Sequence, residues 1–158
     1  MTHILLLEDE RLLREDLTEF LVKQGHSVQA VGSIAEFDSG FVPGRHLIAI
    51  LDLGLPDGDG MDVIARLRRD NLRLGIIVLT AHMAIRDKVA GLQSGADHYL
   101  TKTIDMDILA ATVDALVRRL DTQINRLRRK VVDATGADLP LKTLRNEGYQ
   151  FRGAVAPG

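Results

Sequence analysis

Glu8, Asp9, Asp52, Thr80 and Lys102 are the residues whose types and spacing could do chemistry in this chain. Three carboxylates offer oxygen ligands to a hard cation such as Mg²⁺, which binds through one or two carboxylates, phosphate oxygens and water. A carboxylate is also a nucleophile toward phosphorus and can form an aspartyl phosphate. The cation would cancel the repulsion between Asp52 and an incoming dianion. Lys102 would pair with a phosphoryl oxygen as a point charge, and the Thr80 hydroxyl would donate to another. Such chemistry is positioning plus electrostatic stabilisation. Singly, each residue has an ordinary reading: a solvated or capping acid, a capping threonine, a surface lysine. The specificity lies in the set.

The elements that must position this set are four short apolar runs: Ile4–Leu7, Leu47–Leu51, Ile76–Leu79 and Tyr99–Leu100. Strands buried on both faces of a parallel sheet read as continuous apolar runs. Each candidate residue sits at or just past the end of such a run. In an open parallel α/β sheet, ligands bind outside the carboxyl ends of the strands, so the five residues are expected to converge there. Helical patterns alternate with the runs through residue 117, which argues for βαβ units. The first helix spans about Glu10 to Gln24, with Leu13, Leu17, Phe20 and Leu21 on one stripe. Ser27–Val31 reads as a second strand. Ser33 and Glu36 form a capping box for a short second helix. Pro56-Asp57-Gly58-Asp59-Gly60 is turn chemistry. Met61–Arg69 and Met83–Gln93 read as the third and fourth helices, and Tyr99–Thr101 as the fifth strand. From Asp105 to Thr135 no Pro or Gly intervenes, so one helix of about seven to nine turns is predicted, with Asp105 and Asp107 at the positive end of its dipole. Leu141–Leu144 and Tyr149–Phe151 flank a turn, Arg145–Gly148, as a hairpin.

The 158 residues suit one domain plus an appendage. There is no cysteine, which excludes disulfide and thiol chemistry. The first apolar run is closed by Glu8-Asp9-Glu10, so it is neither a signal peptide nor a membrane span, and a cytoplasmic protein is expected. Residues 1–117 carry 11 Lys/Arg and 18 Asp/Glu, a net of −7, whereas residues 118–158 carry nine and four, a net of +5. An acidic body with a basic tail is bipartite, and the tail suits nucleic acid or an acidic protein surface.

Residues 1–120 resemble the receiver domain of bacterial two-component response regulators. The resemblance rests on His3–Glu10 (HILLLEDE), Leu51–Met61 (LDLGLPDGDGM), Ile77–Ala81 (IVLTA) and Gly91–Lys102 (GLQSGADHYLTK). It implies a flavodoxin-like (βα)5 doubly wound parallel sheet, strand order 2-1-3-4-5. It also implies that Asp52 accepts phosphate from a histidine kinase. Glu8 and Asp9 would be the acidic pair around Mg²⁺, the Gly54 carbonyl a further metal ligand, and Lys102 the phosphate contact. Thr80 and Tyr99 would be a switch pair that remodels the face made by the fourth helix, fifth strand and fifth helix. A protein of this kind is a self-modifying acceptor rather than an enzyme. One departure concerns the residue after the lysine, usually a proline in a cis peptide and here Thr103. A non-proline cis bond costs roughly 2.5–4 kcal/mol, so either the bond is trans with a reshaped loop or strain is tolerated. Gly54 gives no side-chain shielding of an acyl phosphate, and His82 reads as a solvated loop residue.

Residues 121–158 resemble a remnant of the winged-helix (OmpR-type) DNA-binding module. Asp121–Lys130 is similar to its recognition helix and Leu141–Phe151 to its wing hairpin, with the parts normally between receiver and recognition helix absent. Arg126, Arg128, Arg129 and Lys130 are the candidate DNA contacts. Val117, Leu120, Ile124, Leu127 and Val131 continue a heptad stripe begun by Ala110 and Val113. With the missing helices gone, this stripe is expected to lack cover and to pair two chains into a homodimer. Lys88, Asp97 and Arg119 occupy positions where the subfamily holds its receiver dimer by charge pairs, while Ile108, His98 and Thr112 replace other members of that set. Three readings follow: a phosphorylation-switched protein acting by protein–protein contact, a DNA-binding transcriptional regulator, and a pseudo-receiver assembled constitutively.

Overall fold

The structure, a computed structural model, describes residues 1–70, 73–81, 95–136, 141–144 and 148–151. Strands β1 (His3–Leu7), β2 (Ser27–Val31), β3 (Ile48–Leu51), β4 (Gly75–Thr80) and β5 (His98–Thr101) form one parallel sheet in the order β2-β1-β3-β4-β5. Helices α1 (Arg11–Lys23), α2 (Ile34–Gly40) and α3 (Gly60–Asp70) connect them, and a 30-residue C-terminal helix runs from Met106 to Thr135. The expected fourth helix, with Lys88 and His82, lies outside the described residues.

The sheet is covered on both faces, which is why its central strands are apolar throughout. One face packs Leu5, Leu7, Ala49, Leu51, Ile76 and Val78 against Phe37 of α2 and Val63, Ile64 and Leu67 of α3. The other packs Ile4, Leu6, Ile48, Ile50, Ile77 and Leu79 against Leu17 and Leu21 of α1 and Leu109, Val113 and Leu116 of the C-terminal helix. In-register pairing of Leu7 with Leu51, and of Leu51 with Val78, brings the strands' carboxyl ends level.

The predicted helix ends are in place. The Ser33 hydroxyl accepts from the Glu36 N–H (3.2 Å), while the Glu36 carboxylate reaches back to the Gly32 N–H (2.9 Å) rather than to Ser33 itself. Asp105 caps the C-terminal helix through the Asp107 N–H (2.9 Å), and Gly136 ends it at φ +68° with its N–H on the Val132 carbonyl (2.8 Å). The hairpin pairs Leu141 with Phe151 and Leu144 with Gly148; its turn, 145–147, lies outside the described residues. Among the described residues no helix is long and apolar enough to cross a membrane.

The expectation for the heptad stripe needs correction. Leu120 and Ile124 are buried within the single chain, although neither belongs to the two core clusters. Val117 packs on the α1 side of the core. Leu127 and Val131 are half-buried, and Val132 beside them is exposed. The stripe is therefore covered by its own chain at Leu120 and Ile124, over its first two turns past the receiver.

Candidate phosphoacceptor site

The five residues singled out by type and spacing meet at the carboxyl end of the sheet. β1 ends into Glu8 and Asp9, β3 into Asp52, β4 at Thr80, and β5 leads through Thr101 to Lys102. Asp52 continues the β3 pairing by donating its N–H to the Leu7 carbonyl (3.0 Å), and the Lys102 N–H donates to the Thr80 carbonyl (2.9 Å). Backbone pairing of adjacent parallel strands thus brings their carboxyl ends to one cavity of about 470 Å³. Asp9, Asp52, Gly54, Thr80 and Lys102 line it.

At its base the Lys102 ammonium bridges two buried carboxylates, 2.7 Å from Asp52 Oδ2 and 2.9 Å from Glu8 Oε2. The second Asp52 oxygen accepts from the Gly54 N–H (3.3 Å), and Glu8 Oε1 accepts from the Glu10 N–H (3.0 Å). Burial pushes the Glu8 carboxyl above its usual range, against the hydrogen bond from Lys102 that lowers it. Burial would lower the Lys102 ammonium, but its hydrogen bonds to Asp52 and Glu8 outweigh it and hold its pKa above the ordinary lysine value. One ammonium thus neutralises part of a charge cluster that would otherwise repel itself.

Carboxylate oxygens of Glu8, Asp9 and Asp52 lie within 4.8 Å of one another. An all-oxygen set of this size suits a hard cation, and the exposed Asp9 leaves it open to the cavity. Thr80 is buried and Tyr99 half-buried. Tyr99 pairs with Val78, two residues before Thr80, so both side chains leave the sheet on the face packed by α2 and α3. The Lys102–Thr103 peptide is trans, and no cis bond occurs in the described residues. The turn is instead closed by the Ile104 N–H on the Thr101 carbonyl (3.1 Å) and by the Thr101–Thr103 hydroxyl pair (3.2 Å). Lys102 reaches Asp52 without the usual proline.

Several site features escaped the sequence. Gly60 is a close-approach glycine: a Cβ there would stand 2.5 Å from the Asp52 carbonyl, so only glycine lets α3 start against the loop that follows Asp52. Asp57, on the same loop, caps α2 from outside, accepting from the Ile34 N–H (3.1 Å) and the Ala35 N–H (3.2 Å). These bonds, the one from Ile34 foremost, hold its carboxyl below the usual range. Glu10, Asp59 and Met61 also line the cavity. The turn-rich composition of residues 56–60 was the only signal for this loop.

Asp97 and Arg119, which occupy positions of the subfamily's inter-chain charge pairs, pair with each other within this chain. Asp97 Oδ1 accepts from Arg119 (2.5 Å), and Oδ2 accepts from the Ile76 N–H (2.7 Å) and from Arg68 (3.1 Å). The reason is proximity: α3, the start of β4, β5 and the C-terminal helix meet at this end of the sheet. Arg126, Arg129 and Lys130 are exposed on the C-terminal helix and Arg128 is half-buried.

Comparison with known proteins agrees with this geometry. The family described as response regulator receiver domain matches residues 4–114. The transcriptional regulatory protein PmrA of Pectobacterium parmentieri is 39% identical over 116 residues, 73% of this chain and 52% of that protein. The virulence transcriptional regulatory protein PhoP of Salmonella typhi is 40% identical over 144 residues, 88% of this chain and 63% of that protein. The chain thus spans roughly half to two thirds of the length of these curated relatives. Among solved structures, the response regulator TrrA of Thermotoga maritima in complex with Mg²⁺–BeF is 29% identical, with a TM-score of 0.63 over 73% of this chain and 99% of that one. With the sheet order, the acid cluster and the lysine in agreement, this chain belongs to the response regulator receiver domain family.

Proposed function

We propose that residues 1–120 form a phosphoacceptor domain in which Asp52 takes a phosphoryl group from a histidine kinase, and that residues 121–158 are a winged-helix remnant. The observation that carries the reading is the Lys102 ammonium, 2.7 Å from Asp52 and 2.9 Å from Glu8, with Asp9 completing the oxygen cluster. In the transfer an Asp52 carboxylate oxygen forms the new bond to phosphorus. The phosphorus–nitrogen bond to the donor imidazole breaks, and its electron pair stays on that nitrogen. Lys102 stands where it can leave Glu8 for a phosphoryl oxygen, and Thr80 offers a hydroxyl to another. Glu8, Asp9, Asp52 and the Gly54 carbonyl would hold Mg²⁺, which supplies charge neutralisation when bound. Inward movement of Thr80 would make room for Tyr99 on the same face of the sheet. The chain turns over no separate substrate in this scheme and acts in the cytoplasm.

The expected output is protein–protein contact, including a homodimer through the far part of the C-terminal helix. Leu127 and Val131 are half-buried there and Val132 is exposed, which supports a narrower contact than the full heptad stripe. A second reading is DNA binding through Arg126, Arg128, Arg129 and Lys130. It is supported by the relatives named as transcriptional regulators and by the Salmonella typhi match, whose 88% share of this chain cannot fit within residues 1–120. Against it, the recognition helix continues straight from the receiver without the separate helix that braces such a helix on the duplex.

Intact mass after incubation with Mg²⁺ and a small phosphodonor tests the first reading. One added phosphate, absent in Asp52→Asn, is expected. Failure of the wild type to label on any time scale, including rapid quench, would overturn it. Salt-dependent binding to duplex DNA, lost on neutralising Arg126 and Arg129, would favour the second output.

A further inference from the structure

Arg14 lies outside every role given so far, and its guanidinium lies behind the acid cluster. It projects from the first turn of α1, and its Nη1 donates to the Glu8 carbonyl (2.7 Å) and the Asp9 carbonyl (3.2 Å). It is half-buried and rests on the β2–α2 loop at Gly32. A Cβ at residue 32 would stand 2.8 Å from Nη1 and 3.4 Å from Cζ, so the absent side chain is the slot the guanidinium fills.

What this clamp controls follows from how the two acids are held. Glu8 is fixed through its own side chain, by Lys102 and by the Glu10 N–H. Asp9 is exposed, and among the described residues its carboxylate makes no hydrogen bond or ion pair. Its direction is therefore set by the backbone on either side. The peptide groups following Glu8 and Asp9 are the two whose oxygens Arg14 holds. One nitrogen, Nη1, serves both carbonyls, and the rest of the guanidinium fills the slot at Gly32.

We propose that Arg14 is a positioning residue for the cation site. By clamping both carbonyls it holds the Asp9 carboxylate within reach of Glu8 and Asp52, and Gly32 is glycine to admit it. The inference rests on the reading that this site takes Mg²⁺. Groups that orient metal ligands typically cost about 10–100-fold in metal affinity when removed.

The test is calorimetric titration of the unphosphorylated protein with Mg²⁺ alone, well below the melting temperature. Arg14→Met, which keeps much of the apolar stem, is expected to weaken Mg²⁺ binding at least about tenfold. Arg14→Lys, which keeps the charge but leaves the slot at Gly32 partly empty, should fall between. Gly32→Ala keeps Arg14 but displaces its guanidinium tip, and should weaken binding in the same direction. If Arg14→Met is too unstable to titrate, Gly32→Ala decides the matter. Mg²⁺ affinity within twofold of wild type in both Arg14→Met and Gly32→Ala overturns the proposal, whatever their melting temperatures. A wild type that binds no Mg²⁺ overturns the functional reading and this inference together.

Discussion

Lys102 Nζ lies 2.7 Å from Asp52 Oδ2, across a gap of 50 residues in sequence and with one strand, β4, between theirs in the sheet. The same ammonium is shared with Glu8. Replacing it with methionine leaves two buried carboxylates facing each other. Breaking one side of a buried charge pair costs about 3–5 kcal/mol, and Lys102→Met is expected to lose roughly 3 kcal/mol of that at neutral pH. The loss should shrink in acid, where the carboxylates take up protons, and partly recover with Mg²⁺. Denaturant titration at two pH values, with and without Mg²⁺, reads all three effects. Phosphorylation by a small donor should slow about 100-fold or more.

Gly60 packs α3 onto the loop that follows Asp52. Gly60→Ala places a methyl group 2.5 Å from the Asp52 carbonyl and 2.9 Å from Leu53 Cα, both backbone atoms that cannot swing away. The overpacking should cost about 1–3 kcal/mol and shift Asp52. Chemical denaturation together with the amide shifts of residues 52–54 would report it. A variant with wild-type stability and shifts would show that the loop yields freely.

Asp97 and Arg119 are unequal partners. Asp97 satisfies the Ile76 N–H and two arginines and is mostly buried, whereas the Arg119 side chain is 47% exposed. Asp97→Ala should therefore destabilise by about 2–3 kcal/mol, while Arg119→Ala should cost less than about 1 kcal/mol. Equal losses in urea titrations would contradict this division.

His26 predicts acid sensitivity. Its side chain is 9% exposed, both ring nitrogens lack a hydrogen-bond partner among the described residues, and Asp114 Oδ1 stands 3.8 Å away, beyond hydrogen-bonding range. Burial lowers its pKa, as does the N-terminal amine, and Asp114 only partly opposes this. A base whose folded-state pKa is depressed is protonated more readily when unfolded. Its stabilising contribution is complete above the ordinary value of about 6.5 and is lost as pH falls through that value toward the lowered one. His46, lowered by burial, by Arg45 and by His3, acts in the same direction. The urea midpoint should drop between pH 7.5 and 5.5, and His26→Leu should flatten part of that slope. A wild-type midpoint that stays constant over this interval would refute the assignment.

Much of the site was legible because its chemistry is local to strand ends. Glu8, Asp9, Asp52, Thr80 and Lys102 each follow an apolar run, and a parallel sheet with short connections has few ways to place such ends except together. Ser33 was legible as a cap for the same reason, its partner lying three residues on, and Asp105 as a residue of the helix start. Asp57 was not, since the backbone it caps lies 22 and 23 residues away. Nor was Arg14, whose partners are carbonyls that any residue supplies.

By itself the sequence determined the alternation of strand and helix, the residues that converge, and the single long helix from 106 to 135, because these rest on hydrophobic periodicity and on breakers. The tertiary structure alone decided three further things. Asp97 and Arg119 pair within one chain, Leu120 and Ile124 are covered by it, and Lys102 reaches Asp52 across a trans bond to Thr103. All three depend on distances between elements far apart in sequence, which are set by how the layers stack and carry no local signature.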